Sequence, residues 1–177
     1  MKKFPELHSE RLVLREINQG DLEGIFAIFS DPEVLTYYGM DPIQSKEEVN
    51  DLIQKYRVGF EHGTVYRWAI VRKEDNQFLG TCGYHNWHHR YYRAEIGYEL
   101  SPAYWGMGYM QEAASKIIEY GHSELGIHRI GALISPFNKS SIRLVERLGF
   151  SKEGVLKDYA YSGESYHDLT MYAKIHS

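Results

Sequence analysis

The stretch SPAYWGMGYMQEA, Ser101 to Ala113, places two glycines two residues apart, Gly106 and Gly108, where a strand-like run ends and a helical pattern begins. A helix start presents unpaired N–H groups and the positive end of the helix dipole, which together favour an anion. Glycines there let a phosphate approach the backbone with no Cβ in the way. WGMGYM therefore reads as a pyrophosphate cradle. A dinucleotide fingerprint would need a third glycine three residues after Gly108, where Gln111 stands, and no Gly-Lys-Ser/Thr follows for a P-loop. On this stretch alone a plain tight turn accounts for the glycines equally well.

Working outward, RLVLREI (Arg11 to Ile17) alternates as a strand. A helix starts near Asn18 or Asp21 and keeps Ile25, Phe26, Ile28 and Phe29 on one face up to the stop at Asp31-Pro32. A second helix fits Ser45 to Glu61, with Ser45 as cap. Three strands follow: Tyr66 to Arg72, Phe78 to His85 and Tyr92 to Leu100, the first two separated by the turn KEDNQ. From about Met110 a helix carries Met110, Ala113, Ala114, Ile117, Ile118 and Gly121 on one face, small enough in part to pack close on a sheet. His128 to Ser135 is a strand, and NKSSIRLVERLGF is a short helix capped by Asn138 and stopped by Gly149. VLKDYAY and YHDLTMYAKI flank Ser162-Gly163 as a terminal hairpin. This order predicts a mixed α/β (α+β) fold, with a mainly antiparallel, twisted sheet of about seven strands flanked by about four helices. No repeat or linker divides residues 1–177, so one domain is expected.

The composition, 43% hydrophobic and 25% charged, is that of a globular chain. A net charge of -4 leaves no basic footprint for nucleic acid. No apolar run follows the first lysines and none is long enough to span a bilayer, so neither a signal peptide nor a membrane partner is expected. The single cysteine, Cys82, fits a reducing, cytoplasmic setting and reads as a small buried strand residue rather than a nucleophile.

A second segment, SPFNKSSIRLVERLGF (Ser135 to Phe150), gives the cradle its meaning. Together the two resemble the GCN5-related N-acetyltransferase (GNAT) superfamily. The family's Arg/Gln-x-x-Gly-x-Gly/Ala loop aligns with Trp105, Gly106, Met107, Gly108, Tyr109 and Met110, and its Asn-x-x-Ala/Ser…Leu-Gly-Phe segment with Asn138, Ser141, Leu148, Gly149 and Phe150. The element order matches nearly from end to end. More narrowly the chain is similar to the RimJ/RimL branch, through SERLVLRE (Ser9 to Glu16), Glu95-Ile96-Gly97-Tyr98, YWGMGY, and Glu153-Gly154 followed by Gly163 and Asp168. Trp105 replaces the usual Arg or Gln, and Met110 replaces a small residue and is expected to narrow the cradle slightly.

The resemblance implies transfer of acetyl from acetyl-CoA, with no metal, to a primary amine. The RimJ/RimL likeness suggests the α-amine of a protein N-terminus, that of a ribosomal protein among them, while related chains acetylate polyamines, amino acids or antibiotics; a homodimer is left open. It implies main-chain contacts of Gly106 to Met110 with the pyrophosphate and of Tyr98, Glu99 and Leu100 with pantetheine, and an oxyanion donor in the N–H of Tyr98 or of Glu99. Strand alternation puts Glu95, Gly97 and Glu99 on one face, Ile96, Tyr98 and Leu100 on the other. Glu95 is the first choice of general base and Glu99 the second; a strand glutamate paired with Arg93 or Arg90 is the competing reading. The slot of the family's tyrosine acid holds Val145. By the same resemblance Ser141, in the Ala/Ser slot, would hydrogen-bond the departing sulfur with Asn138 beside it; an N-cap followed by an ordinary third helical residue is the compatible simpler reading. A CoA-binding module without transfer is the rival of another class, kept open by Val145.

The acceptor side should use the first two helices, Tyr37-Tyr38, and HNWHHRYYR (His85 to Arg93). In that last stretch adjacent His88 and His89 suit one metal ion poorly, and an exposed loop is the simpler reading. With 15 tyrosines in the chain, core packing equally accounts for Tyr37 and Tyr38.

Overall fold

The computed structural model describes residues 3–176. Its strands are β1 (Leu7–His8), β2 (Leu12–Glu16), β3 (Tyr66–Arg72), β4 (Phe78–His88), β5 (Arg93–Leu100), β6 (Arg129–Ile134), β7 (Ser151–Ser162) and β8 (Ser165–Ile175). Its helices are α1 (Leu22–Phe29), α2 (Pro32–Leu35), α3 (Lys46–Glu61), α4 (Tyr109–Ser123) and α5 (Lys139–Arg147). The strands form one sheet in the order β1-β2-β3-β4-β5-β6-β8-β7, antiparallel except for β5 against β6.

The sequence alternation of β3, YRWAIVR, shows how the layers arise. Tyr66, Trp68 and Ile70 point into a cluster with Ala113, Ala114 and Ile117 of α4 and Val145 of α5. Ala69 and Val71 point the other way, against Ile25, Ile28 and Phe29 of α1 and Val49 of α3. Alternate positions of a strand buried on both sides must all be apolar unless a polar one is paired, and Arg67 is the exception that β3 carries. The small residues of α4 do let it sit close: a Cβ on Gly121 would fall 2.2 Å from the Tyr84 hydroxyl, which donates to the Ile117 carbonyl at 2.7 Å. Cys82 is fully buried, and burial pushes its thiol up to about 12, consistent with an inert core residue.

Four expectations shift. Residues 7 and 8 form a short extra edge strand, so the sheet has eight strands. Pro32 ends α1 and also begins α2, because Asp31 caps it by accepting from the Glu33 N–H at 2.8 Å. The strand ending at His85 in the sequence reading continues to His88 across a register shift, and β5 starts at Arg93, one residue later than expected, because Tyr92 adopts a left-handed conformation. Met110 is buried in the core, so it does not narrow the cradle.

The feature that creates a site lies between β5 and β6. They pair in parallel only at Arg93↔Arg129, Ala94↔Ile130 and Glu95↔Gly131. Beyond that point β5 keeps to β4 as far as Leu100↔Gly80, and β6 keeps to β8 as far as Ile134↔Thr170. Each strand follows its own partner, so the two part and a main-chain edge of β5 opens in the middle of the sheet.

Candidate functional site

Register decides which β5 amides face this opening. Ser101 N–H donates to the Leu79 carbonyl of the β4 side at 2.9 Å, while the Tyr92 carbonyl accepts from Arg129 N–H of β6 at 3.0 Å. Main-chain groups alternate along a strand. The amides of Glu95, Gly97 and Glu99 therefore turn to β4, and those of Ile96, Tyr98 and Leu100 turn to the β6 side. Tyr98 N–H points into the gap and Glu99 N–H does not. The Leu100 carbonyl, on the same edge, is already engaged by the Trp105 indole N–H at 2.8 Å. This contact gives Trp105 a structural place: it ties the start of the glycine loop to the end of β5.

The loop then turns into α4. Gly106 and Gly108 have φ of +74° and +79°, the left-handed region that side-chain-bearing residues seldom adopt. Nothing lies within 4 Å of a Cβ built on Gly106. No packing within the chain demands a glycine there, so the requirement comes from backbone conformation, and the space beside it is open. Gly108 is the N-cap of α4, and the first free amides of the helix follow at Tyr109 and Met110.

A latch missed in the sequence reading braces this loop. Glu112, in the first turn of α4, accepts from Ser9 Oγ, the Arg11 amide and Arg11 Nε, each at 2.7 Å, and Arg11 Nη1 donates to the Met107 carbonyl at 3.1 Å. Burial works to raise the Glu112 carboxyl, but these donors outweigh it and hold it below the usual range. The signal was present in SERLVLRE, whose Ser9 and Arg11 are the two residues used; only the fold shows that their partner is a hundred residues away.

On the far side of the gap, Asn138 caps α5. Its Oδ1 accepts from the Ser141 amide at 3.1 Å and from Ser140 Oγ at 2.9 Å. The cap thereby sets Ser141 in the first turn. Val145 is fully buried, so the family's tyrosine slot is filled by core. The Tyr98 ring, on the α5 face of β5, is packed against the same core.

The two glutamates part company. Glu95 is half-buried; it accepts from Asn86 Nδ2 at 3.0 Å and lies 3.5 Å from His85 Nε2. The His85 hydrogen bond, with Asn86 and the charge of Arg93 adding to it, holds Glu95 below the usual carboxylate range against the opposing effect of burial. Its partners are thus His85 and Asn86, not Arg90 or a paired Arg93, both of which stand over the Tyr91 ring. Glu99 is buried and bound to Arg67 and Thr81, and it accepts from the Tyr38 hydroxyl at 2.8 Å. With its carboxylate locked on one face and its amide turned to β4, Glu99 is ill placed both as base and as oxyanion donor. The Tyr38 hydroxyl thus reaches Glu99, although Tyr37 and Tyr38 are both exposed.

HNWHHRYYR is half strand, half turn. His89 stacks on Trp87 and its Nε2–H donates to the Gly63 carbonyl at 2.7 Å. Among the described residues, no group of three or more His, Cys, Asp or Glu side chains could hold a metal ion. No helix of the described residues is long and apolar enough to cross a membrane.

Comparison with known proteins agrees with this arrangement. The family model for the Acetyltransferase (GNAT) domain matches residues 11–151. The uncharacterized N-acetyltransferase YoaA of Bacillus subtilis (strain 168) is 41% identical over 170 residues, 96% of each chain. In fold, the chain is similar to the ribosomal L7/L12 alpha-N-protein acetyltransferase RimL in complex with coenzyme A, with a TM-score of 0.87 at 23% identity over 98% of each chain. It is similar also to spermidine N-acetyltransferase of Vibrio cholerae in complex with CoA and spermine, with a TM-score of 0.83 at 20% identity over 94% of this chain and 96% of that one. A parted β5–β6 pair beside a left-handed glycine loop, in a chain matched along most of its length by that family, makes this protein a GNAT-superfamily acetyltransferase with acetyl-CoA as its co-substrate.

Proposed function

We propose that the acceptor is the α-amine of a protein N-terminus, acetylated by direct attack within a ternary complex. The observation that carries direct transfer is the gap after Glu95↔Gly131, which leaves the Tyr98 N–H unpaired on an inner edge of the sheet. Pantetheine laid along that edge completes the ladder as an added strand, and the thioester carbonyl meets the Tyr98 N–H as oxyanion donor. The amides of Gly106 to Met110 take the pyrophosphate.

The amine enters from the Glu95 face. Attack needs a neutral nitrogen, and Glu95, held low by His85 and Asn86, is a weak base. That favours an amine that sheds its proton readily. An α-amine does so at about 7.7–8.0, an alkyl ammonium only near 10.4. Nitrogen gives its proton to Glu95 or through it to water. The tetrahedral intermediate collapses, Ser141 hydrogen-bonds the departing thiolate, and sulfur takes its final proton from water. Asn138 acts by placing Ser141 through its cap. A polyamine acceptor is the second reading, favoured by the fold shared with the spermidine enzyme. The lone, buried Cys82 supports a reducing, cytoplasmic setting.

The test is thiol release from acetyl-CoA with a serine-initiated peptide and with spermidine. We expect kcat/KM to favour the peptide at pH 7. Its rising limb should follow the amine rather than the enzyme, sitting more than two pH units higher for spermidine than for the peptide. An identical limb near neutrality for both amines would assign the titration to a group on the protein. Ser141→Ala is expected to lower kcat about 100-fold with little change in KM for acetyl-CoA, and full activity in that variant would remove Ser141 from the chemistry.

A further inference from the structure

Tyr98 uses its backbone and its side chain on opposite sides of one problem. Its amide faces the β5–β6 gap. Its ring packs on the α5 face, and its hydroxyl is buried with no hydrogen-bond partner, one of only two such side-chain atoms among the described residues. A buried hydroxyl without a partner is rare and calls for a reason. The neighbour that bears on it is the Ser141 side chain, which works to lower the phenol against the larger effect of burial, although no closed hydrogen bond joins the two. Ser141 has its main chain fixed by the Asn138 cap, at 3.1 Å, so its hydroxyl can turn while its backbone stays put.

We propose that Tyr98 is a positioning residue for thiolate departure: its hydroxyl donates to Ser141 Oγ, which leaves the Ser141 proton directed at the sulfur. The inference rests on Ser141 being the group that meets the thiolate. It requires no proton to leave Tyr98. Burial raises the phenol above its ordinary range and keeps it protonated at any working pH, so it is a donor throughout. Hydrogen bonds in series polarise one another, and a serine that accepts from Tyr98 is a better donor to a developing anion. Sulfur accumulates negative charge only as the carbon–sulfur bond breaks, so the effect falls on kcat and not on acetyl-CoA binding. The hydroxyl that lacks a partner in the resting protein is then satisfied in the step that needs it.

Tyr98→Phe removes one oxygen and keeps the ring. Because that oxygen has no partner in the ligand-free protein, the variant should melt at the same temperature or higher; a fall of several degrees would mean that the hydroxyl is already bonded, and would overturn the proposal whatever the acceptor is. With the serine-initiated peptide and with spermidine as probes, kcat should drop about tenfold while KM for acetyl-CoA stays within twofold. Tyr98→Phe combined with Ser141→Ala should be no slower than Ser141→Ala alone. Full kcat in Tyr98→Phe, or additive losses in the double variant, would refute the linkage. If Ser141→Ala is slow and Tyr98→Phe is not, only this inference fails. If Ser141→Ala itself is fully active, the reading of Ser141 fails and this inference goes with it.

Discussion

Arg67→Ala is expected to destabilise the protein by about 3–5 kcal/mol, a fall in melting temperature on the order of 10 °C for a chain of this size. The guanidinium side chain is 5% exposed and that of Glu99 is 1% exposed. Arg67 Nε donates to Thr81 Oγ1 at 2.7 Å, Nη1 to the Gly97 carbonyl at 2.9 Å, and Nη2 to Glu99. The Thr81 hydroxyl in turn donates a hydrogen bond to Glu99, and Tyr38 adds another donor from the α2 side. Removing Arg67 strands a carboxylate among apolar neighbours with only neutral donors left, and that desolvation is the source of the large cost. The remedy distinguishes a stranded charge from lost packing. Arg67→Met together with Glu99→Leu removes both charges at similar volume and should regain at least half of the loss, read as a coupling in a double-mutant cycle of thermal or urea unfolding. Additive losses would mean that the pair is two independent contacts. Activity gives a further readout, since Arg67 holds the Gly97 carbonyl beside the Tyr98 amide.

Gly106→Asp should weaken acetyl-CoA binding at least 100-fold while leaving the ligand-free fold nearly intact. The left-handed φ of +74° is tolerated by Asp and Asn better than by other side chains, and no atom lies within 4 Å of the added Cβ. The folding cost is therefore about 1 kcal/mol. The binding cost is different in kind, because a carboxylate would stand where the α4 amides await a phosphate. Gly106→Asn carries the same shape without the charge. If repulsion of the pyrophosphate is the cause, Asn should bind acetyl-CoA markedly better than Asp, and the gap should shrink as salt is added. Isothermal titration with acetyl-CoA measures both. Equal affinities for the wild type and both variants would place the pyrophosphate elsewhere.

These two experiments fall on opposite sides of what could be read from the chain alone. The glycines were legible as a bare turn into a helix because a helix start and a missing Cβ are local facts. The same holds for Ser45 and Asn138 as caps, for the two-faced burial of YRWAIVR, and for the close-packing face of α4: periodicity and capping depend on neighbours within a few residues. Arg67 gave no such signal. A lone arginine in an apolar strand is ambiguous until β3, β4 and β5 are aligned and Thr81 and Glu99 arrive beside it. The latch of Ser9 and Arg11 on Glu112 was hidden for the same reason.

The choice among candidates was also tertiary. Strand alternation put Glu95 and Glu99 on one face, but the sequence ranked them without knowing their partners. The fold gives Glu99 to Arg67 and leaves Glu95 near the surface with His85 and Asn86. Tyr98 and Glu99 were equal as oxyanion donors until the register fixed the phase of β5. The sequence by itself determined most of the element order, the family resemblance and the position of the glycine turn before α4, since each rests on short-range pattern. Tertiary structure alone decided which amide faces the gap and which carboxylate is spent on the core, because both depend on how separate strands are paired, and pairing is a long-range property that no local spacing encodes.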